Sequence, residues 1–235
     1  MLITGQMGVG ATTLLESIIA QQILRGGGVL IMDPWCCLKP EVERYANFAG
    51  RNADYHVADL NMPLSAGESL GENRITYVPV PLMANSRAYV KAREFFDHFW
   101  LAAAKRIPYQ GPLGTPFMVV VPDAGALMDV RWEIRYEHAR AANLAVVAHA
   151  NGVSALERAG ENLAAIVLEN SWTKVFFKQP SAHSLSAALD CIKATAPLPP
   201  TASPIREQLV SLGMGEMLVS RPEGLEEARC YMLKR

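Results

Sequence analysis

The chain has 235 residues, half of them hydrophobic, and a formal net charge of −1. This length and composition fit one α/β domain with a sizeable core. The near-zero charge creates no field that attracts DNA or RNA, so we expect no strong nucleic-acid binding. No apolar run reaches the length of a membrane span, and no signal peptide is recognisable. The four cysteines lack metal-ligand spacing, which favours free thiols in a reducing cytoplasm.

Apolar runs and helical spacing predict strands that alternate with helices. In the first half we predict strands at 2–4, 28–33, 55–60 and 74–80, and helices at 12–24 and 84–106. In the second half we predict strands at 117–121, 144–148 and 172–178, and helices at 130–142, 153–169 (one helix or two short ones) and 182–193. Loops are predicted at 63–73 and 108–116. This alternation indicates a mostly parallel sheet covered by helices on both faces.

The C-terminal part departs from that alternation. Residues 197–204 (PLPPTASP) are predicted to be a proline-rich connector. Beyond it, 216–220 and 229–233 are predicted to pair as an antiparallel hairpin at the sheet's edge. The whole chain, residues 1–235, is therefore predicted to be a single domain with this connector leading to its last strands.

Residues 5–13 (GQMGVGATT) fit the phosphate-loop pattern G-x-x-x-x-G-K-[ST] at every fixed position except the lysine, where Ala11 stands. Glycines in such a loop let backbone N–H groups surround phosphates, and the hydroxyl of Thr12 would hold Mg²⁺. A strand before the loop and a helix after it are the setting that the motif requires. A glycine-rich turn without nucleotide is the alternative. The candidate nucleotide-binding residues are Gly5, Gly8, Gly10, Ala11, Thr12 and Thr13.

A second candidate position follows the apolar strand at 117–121. P-loop hydrolases place a Mg²⁺-binding acid at the end of a buried strand, often beside a second carboxylate. Here Asp123 is the only acid, because Pro122 precedes it and Ala124 follows. Asp123 is thus the candidate catalytic residue and a candidate Mg²⁺ ligand with Thr12. A turn or helix-cap role for Asp123 is the alternative.

The strand at 144–148 is followed by His149, Ala150 and Asn151. Many P-loop motors place a polar residue that senses the γ-phosphate at such a strand end. His149 or Asn151 is the candidate for that role. Capping of the following turn is the alternative for both.

Taken in order, these motifs resemble the motor domain of conjugative type IV coupling proteins, the TraD/TraG-like ATPases. The similarity is carried by residues 2–34, 115–125, 139–156 and 170–178. It implies an α/β fold with a RecA-like P-loop NTPase sheet, mostly parallel with antiparallel edge strands, in a three-layer α-β-α arrangement.

The chain departs from that family at each catalytic motif. Ala11 replaces the lysine, Pro122 and Asp123 replace an Asp-Glu pair, and Ala150 falls where a sensor glutamine is expected. Trp35-Cys36-Cys37 replaces a lysine-glycine-acid turn. Losses at several motifs together indicate relaxed selection for hydrolysis.

The resemblance and its departures predict a catalytically impaired pseudo-ATPase, a scaffold or adaptor subunit in a type IV secretion or conjugation coupling complex. Its expected partners are protein subunits of that complex, including a coupling ATPase, in the cytoplasm or at the inner membrane through those partners. We expect no required cofactor and only weak binding of ATP with Mg²⁺. The alternative is an active ATPase motor of DNA or effector transfer that uses a lysine from elsewhere, such as Lys39 or one from a neighbouring subunit.

Overall fold

The computed structural model describes residues 1–60, 73–81, 86–105, 115–195 and 203–230. Nearly all of the two predicted loops, most of the proline-rich connector and the end of the last predicted strand lie outside these residues. Among the described residues, no helix is both long and apolar enough to cross a membrane.

Nine strands of the described chain form one mixed sheet with the order β3-β4-β2-β5-β6-β1-β7-β8-β9. They are β1 (Leu2–Thr4), β2 (Val29–Asp33), β3 (Tyr55–Val57), β4 (Ile75–Pro79), β5 (Phe117–Val121), β6 (Leu144–Ala150), β7 (Lys174–Phe176), β8 (Glu216–Arg221) and β9 (Gly224–Arg229). The helices are α1 (Ala11–Leu24), α2 (Lys39–Phe48), α3 (Ser86–Ala104), α4 (Ala124–Leu127), α5 (Arg131–His138), α6 (Val153–Ala159), α7 (Glu161–Asn170), α8 (Ala182–Thr195) and α9 (Ser203–Ser211). The architecture is the three-layer α/β fold with a mostly parallel sheet that the sequence predicts.

The chain divides into two compact units. Unit 1 comprises Met1–Leu15, Asp123–Tyr136 and Ala148–Arg235, and unit 2 comprises Glu16–Pro122 and Glu137–Val147. Strand β6 and helix α1 contribute residues to both. The prediction of a single domain stays a prediction.

In unit 1, β1 is fully buried between two parallel neighbours. Leu2 pairs with Ala148 of β6 on one side and with Lys174 of β7 on the other. Strands β7, β8 and β9 continue the sheet in antiparallel order. Helices α8 and α9 bury their apolar residues against β7 and β8, in a cluster formed by Phe176, Ala188, Leu189, Ile192, Ile205, Leu209, Leu212 and Leu218.

In unit 2, β2 pairs in parallel with β4 and β5, and β3 extends the sheet beyond β4. All five residues of β2 are buried, as expected for a central parallel strand covered on both faces. The core includes a row of aromatic rings. Phe99 lies between Phe96 and Phe117, with ring centroids 5.5 Å and 5.6 Å away.

Several predicted elements are confirmed closely. β1 and β5 have the predicted bounds, α1 begins one residue earlier, and residues 153–169 form two helices. β3, β7 and α5 are shorter than predicted, and β6 is two residues longer.

Three helices of the described chain are not predicted by the sequence patterns: the four-residue α4, and the longer α2 and α9. α2 is mostly polar, and only Val42, Tyr45 and Ala46 are buried, at helical spacing. α9 begins at residue 203, inside the predicted connector, since proline is accepted in the first turn of a helix.

The last strand begins earlier than the predicted 229–233: Arg229 is the final residue of β9, and residues 231–233 lie outside the described part of the chain. β9 spans Gly224–Arg229, and Arg221 pairs with Gly224 across a two-residue turn at Pro222 and Glu223. The pattern missed this strand because it is largely polar and has no buried residue at the sheet's edge.

Candidate phosphate-binding site

The loop between β1 and α1 has the glycine-dependent conformation that the motif predicts. Gly8 and Gly10 have φ angles of +81° and +109°, in the left-handed region that glycine adopts without steric cost. A Cβ placed on Gly8 would meet no atom within 4 Å, and Met7 is 79% exposed. The tip of the loop is therefore open to solvent.

The start of the loop is packed between neighbouring strands. The Gly5 N–H donates to the Ala150 carbonyl at 3.2 Å, and the Gln6 N–H donates to the Lys178 carbonyl at 2.9 Å. A Cβ on Gly5 would lie 2.5 Å from the Cβ of Phe177, so no larger residue fits there without a shift. Since these two amides are already bonded, any phosphate must be bound by amides later in the loop.

The N-terminus of α1 provides such amides. The Leu14 N–H donates to the Gly10 carbonyl at 3.0 Å, which is a turn-closing bond at the start of the helix. The N–H groups of Ala11 and Thr12 precede it and have no acceptor within the helix. The helix dipole favours an anion at this end, and the Thr12 residue is exposed. The open glycine tip and this helix end fit a phosphate group.

The loop lacks the positively charged lysine of the phosphate-loop pattern. Ala11, at the lysine position, is only 6% exposed, and no residue from 5 to 13 carries a positive charge. The loop can therefore offer backbone dipoles and the Thr12 hydroxyl to a phosphate, without a charged side chain of its own.

Asp123 lies directly after β5 and caps the short helix α4. Its Oδ1 accepts a hydrogen bond from the Ala126 N–H at 3.2 Å. The helix-cap alternative is thus confirmed. The Mg²⁺ role of Asp123 with Thr12, and the catalytic role of Asp123, stay predictions.

At the end of β6, the position at which the sequence resemblance predicts a sensor residue carries a buried methyl group. Ala150 is 0% exposed, and its carbonyl accepts the Gly5 N–H. His149 and Asn151 are half-buried, and their sensing role stays a prediction.

In unit 2, Asp33 organises the turn that contains Trp35, Cys36 and Cys37. Asp33 is completely buried, and its carboxylate accepts hydrogen bonds from the Trp35 N–H at 3.1 Å and the Leu38 N–H at 2.8 Å. No role of this carboxylate is predicted from the sequence. The only local signal is an acid at the end of an apolar strand.

The two adjacent thiols of that turn have raised pKa values. Burial and the nearby Asp33 charge raise the pKa of Cys37 to about 11, and the same causes raise the pKa of Cys36. In the metal-free protein both thiols are therefore mostly protonated at neutral pH. All four cysteines are free thiols. Within the described ranges, no cluster of three or more His, Cys, Asp or Glu residues is placed to hold a metal ion.

Comparison with known proteins places this geometry in a structural class. No family model matches the chain, and no curated protein matches it. Solved structures do. The bacterial conjugative coupling protein TrwBΔN70 with sulphate has a TM-score of 0.70 at 9% identity, covering 99% of this chain and 85% of that one. The plasmid coupling protein TrwB with ADP and Mg²⁺ has a TM-score of 0.68 at 9% identity, with coverage of 99% and 85%.

A viral protein is similar over almost its full length. The genome packaging NTPase B204 from Sulfolobus turreted icosahedral virus 2, in complex with AMPPCP, has a TM-score of 0.63 at 12% identity. The match covers 98% of this chain and 96% of that one. The chain has the fold of a P-loop NTPase. At such low identity the likeness establishes the fold alone, and the phosphate-binding role of residues 5–13, between β1 and α1, stays a prediction.

Proposed function

We propose that this chain is a P-loop pseudo-ATPase that binds phosphate groups weakly, does not hydrolyse ATP at a useful rate, and acts as a scaffold in a conjugation or type IV secretion coupling complex. One observation carries the proposal. The loop keeps an open glycine tip at Gly8 and an exposed Thr12, while Ala11 buries a methyl group at the lysine position.

The energetic argument supports weak binding without turnover. A charge-assisted hydrogen bond contributes about 1.5–3 kcal/mol, so the missing lysine weakens phosphate binding roughly tenfold to a hundredfold. The loss of one transition-state donor costs about 10²–10³ in rate. In this chain Ala150 has no polar side chain that could contact a phosphate, and the Asp123 carboxylate caps helix α4. Such losses need not multiply, yet each lowers turnover.

The structural neighbours support the cellular setting. Two of the matched structures are of one coupling protein, TrwB, and the viral one is of a genome packaging NTPase. A chain that keeps this fold without its lysine would serve such a machine by contacting its subunits. The proposed partners are protein subunits of the complex, including a coupling ATPase.

A nucleotide assay tests the first part of the proposal. We expect millimolar Mg-ATP to raise the Tm only slightly, because weak binding keeps this concentration far below 100 times the Kd, at which a ligand would stabilise the protein by about 2.7 kcal/mol. We expect no ATP hydrolysis above that of the Asp123→Ala variant. Hydrolysis at motor-like rates that Asp123→Ala abolishes would contradict the proposal.

A reconstitution tests the scaffold role. The chain would be co-expressed with the coupling ATPase and the other secretion subunits of its source, and each pair purified by a tag on this chain. We expect stable co-purification that the Thr12→Ala variant leaves unchanged, since a scaffold does not depend on nucleotide. Purification of the chain without any of these subunits would overturn the scaffold role.

A second candidate function is an active ATPase with a lysine from elsewhere. The position of Lys178 favours this second function. Lys178 is exposed, and its backbone carbonyl accepts a hydrogen bond from the Gln6 N–H of the loop. Lys39, the candidate from the sequence, begins α2 and forms an ion pair with Glu43 at 3.6 Å. Under this function, Lys178→Met or Lys39→Met would abolish ATP hydrolysis that the unmodified chain shows.

A further inference from the structure

A turn at residues 213–215, just before β8, lies against the phosphate loop. The Gly215 N–H donates a 2.8 Å hydrogen bond to the Val9 carbonyl. A Cβ on Gly10 would lie 3.2 Å from the Gly215 Cα, so the two backbones are in direct contact. The contact is made at the end of the loop that enters α1, away from the open tip at Gly8.

The 213–215 turn is itself held by the hairpin. The Gly215 carbonyl accepts the Cys230 N–H at 2.7 Å, beyond the end of β9. The Gly213 N–H donates to Glu216 Oε2 at 2.8 Å, and Glu216 forms an ion pair with Arg229. Gly215 has a φ of +79°, and a Cβ there would lie 2.9 Å from the Cys230 oxygen. Only glycine fits this position.

The bond to Val9 determines the direction of the next amide. In a planar trans peptide, the C=O and the following N–H point in opposite directions. Because the Val9 carbonyl points to Gly215, the Gly10 N–H points away from it. Gly10 is a glycine with left-handed φ, so this peptide has little intrinsic resistance to rotation. The hydrogen bond from Gly215 restrains the rotation of the Val9–Gly10 peptide.

We propose that Gly215 is a positioning residue for phosphate binding, which holds the Val9–Gly10 peptide so that the Gly10 N–H donates to the bound anion. This proposal rests on the proposed phosphate binding by the loop. In a chain without the lysine, correctly directed amides carry the remaining affinity. The C-terminal hairpin is then part of the phosphate site, although it contributes no side chain to the anion.

The test uses the full ¹⁵N-labelled chain, titrated with inorganic tripolyphosphate and followed by the amide resonance of Gly10. The variant is Gly215→Ala. Its matched control is Gly26→Ala, because Gly26 has the same left-handed φ of +81° and a Cβ there would meet no atom within 4 Å. Thermal unfolding of both variants shows how far each is destabilised.

We expect the Gly10 resonance to shift with tripolyphosphate in the unmodified chain and in Gly26→Ala. In Gly215→Ala we expect the Kd to rise at least tenfold and the Gly10 shift to disappear, at a temperature where both variants are folded. Tripolyphosphate binding by Gly215→Ala with the unmodified Kd and Gly10 shift would overturn the positioning role and leave phosphate binding intact. If the unmodified chain does not bind tripolyphosphate, the proposed phosphate binding fails and this inference with it.

Discussion

The hydroxyl of Tyr77 donates a 2.9 Å hydrogen bond to Oδ2 of Asp33, a carboxylate that is completely buried at the end of β2. The same oxygen accepts the Leu38 N–H, so one carboxylate joins β4 to the turn after β2. Burial, followed by the charge of Asp33, raises the pKa of Tyr77 above its usual value, which keeps the hydroxyl a donor. A buried carboxylate is stable only when such donors surround it.

Tyr77→Phe is therefore expected to destabilise the chain by about 1.5–3 kcal/mol, because it removes a buried hydrogen bond to a charged group. Urea unfolding measures this change. The control is Tyr55→Phe, which removes a longer, half-buried hydrogen bond to Glu43 at 3.3 Å and is expected to cost less than about 1 kcal/mol. If the two variants lose the same free energy of unfolding, the hydrogen bond to Asp33 stabilises the protein no more than the hydrogen bond to Glu43.

Restoring the motif lysine is expected to restore phosphate affinity. Ala11→Lys should lower the Kd for Mg-ATP roughly tenfold to a hundredfold, corresponding to about 1.5–3 kcal/mol for a charge-assisted hydrogen bond. Calorimetric titration measures the affinity. Ala11→Met is the control, since it adds a side chain of similar length without charge. The expectation fails if both variants bind Mg-ATP with the same affinity.

The thiol of Cys37 is expected to react slowly. With a pKa raised to about 11, it is mostly protonated at pH 7.5, and alkylation by iodoacetamide should be about 10-fold to 100-fold slower than that of free cysteine. The rate should rise with pH towards 11. Peptide mass spectrometry follows each cysteine separately, and unfolding in urea should restore the ordinary rate. Rapid alkylation of the folded chain at pH 7.5 would contradict the raised pKa.

Lys174 is expected to make stability depend on alkaline pH. It is 3% exposed, its Nζ donates to the Ser171 carbonyl at 2.8 Å, and burial lowers its pKa. Since the unfolded chain then binds more protons, the free energy of unfolding rises with pH between the lowered folded pKa and about 10.4. Lys174→Met should remove this rise.

The matched control for Lys174 is Lys193→Met on α8. Lys193 is exposed, with a side-chain exposure of 48%, and its ion pair with Asp190 is long, at 3.9 Å. Urea unfolding at several pH values from about 9 to about 10, above the range in which the buried N-terminal amine contributes, should show the rise in Lys193→Met and not in Lys174→Met. A rise of the same size in both variants would refute the assignment to Lys174.

The sequence by itself determined the elements whose signals are local. The apolar runs of β1 and β5 have the predicted bounds, because buried parallel strands need continuous hydrophobic residues. The glycines at positions 8 and 10 were predicted to shape a phosphate loop, and both have the positive φ angles that only glycine adopts readily. The missing lysine is also visible in the sequence, since Ala11 interrupts an otherwise intact motif.

Only the tertiary structure decided the contacts between distant parts of the chain. The bond from Tyr77 to Asp33 depends on β4 lying beside β2, and the bond from Gly215 to Val9 depends on the C-terminal hairpin returning to the loop. Neither residue type nor spacing indicates such pairs, because strand order is determined by packing across the whole sheet. Local patterns restrict backbone angles and burial, whereas the direction of the Gly10 amide depends on a partner far along the chain.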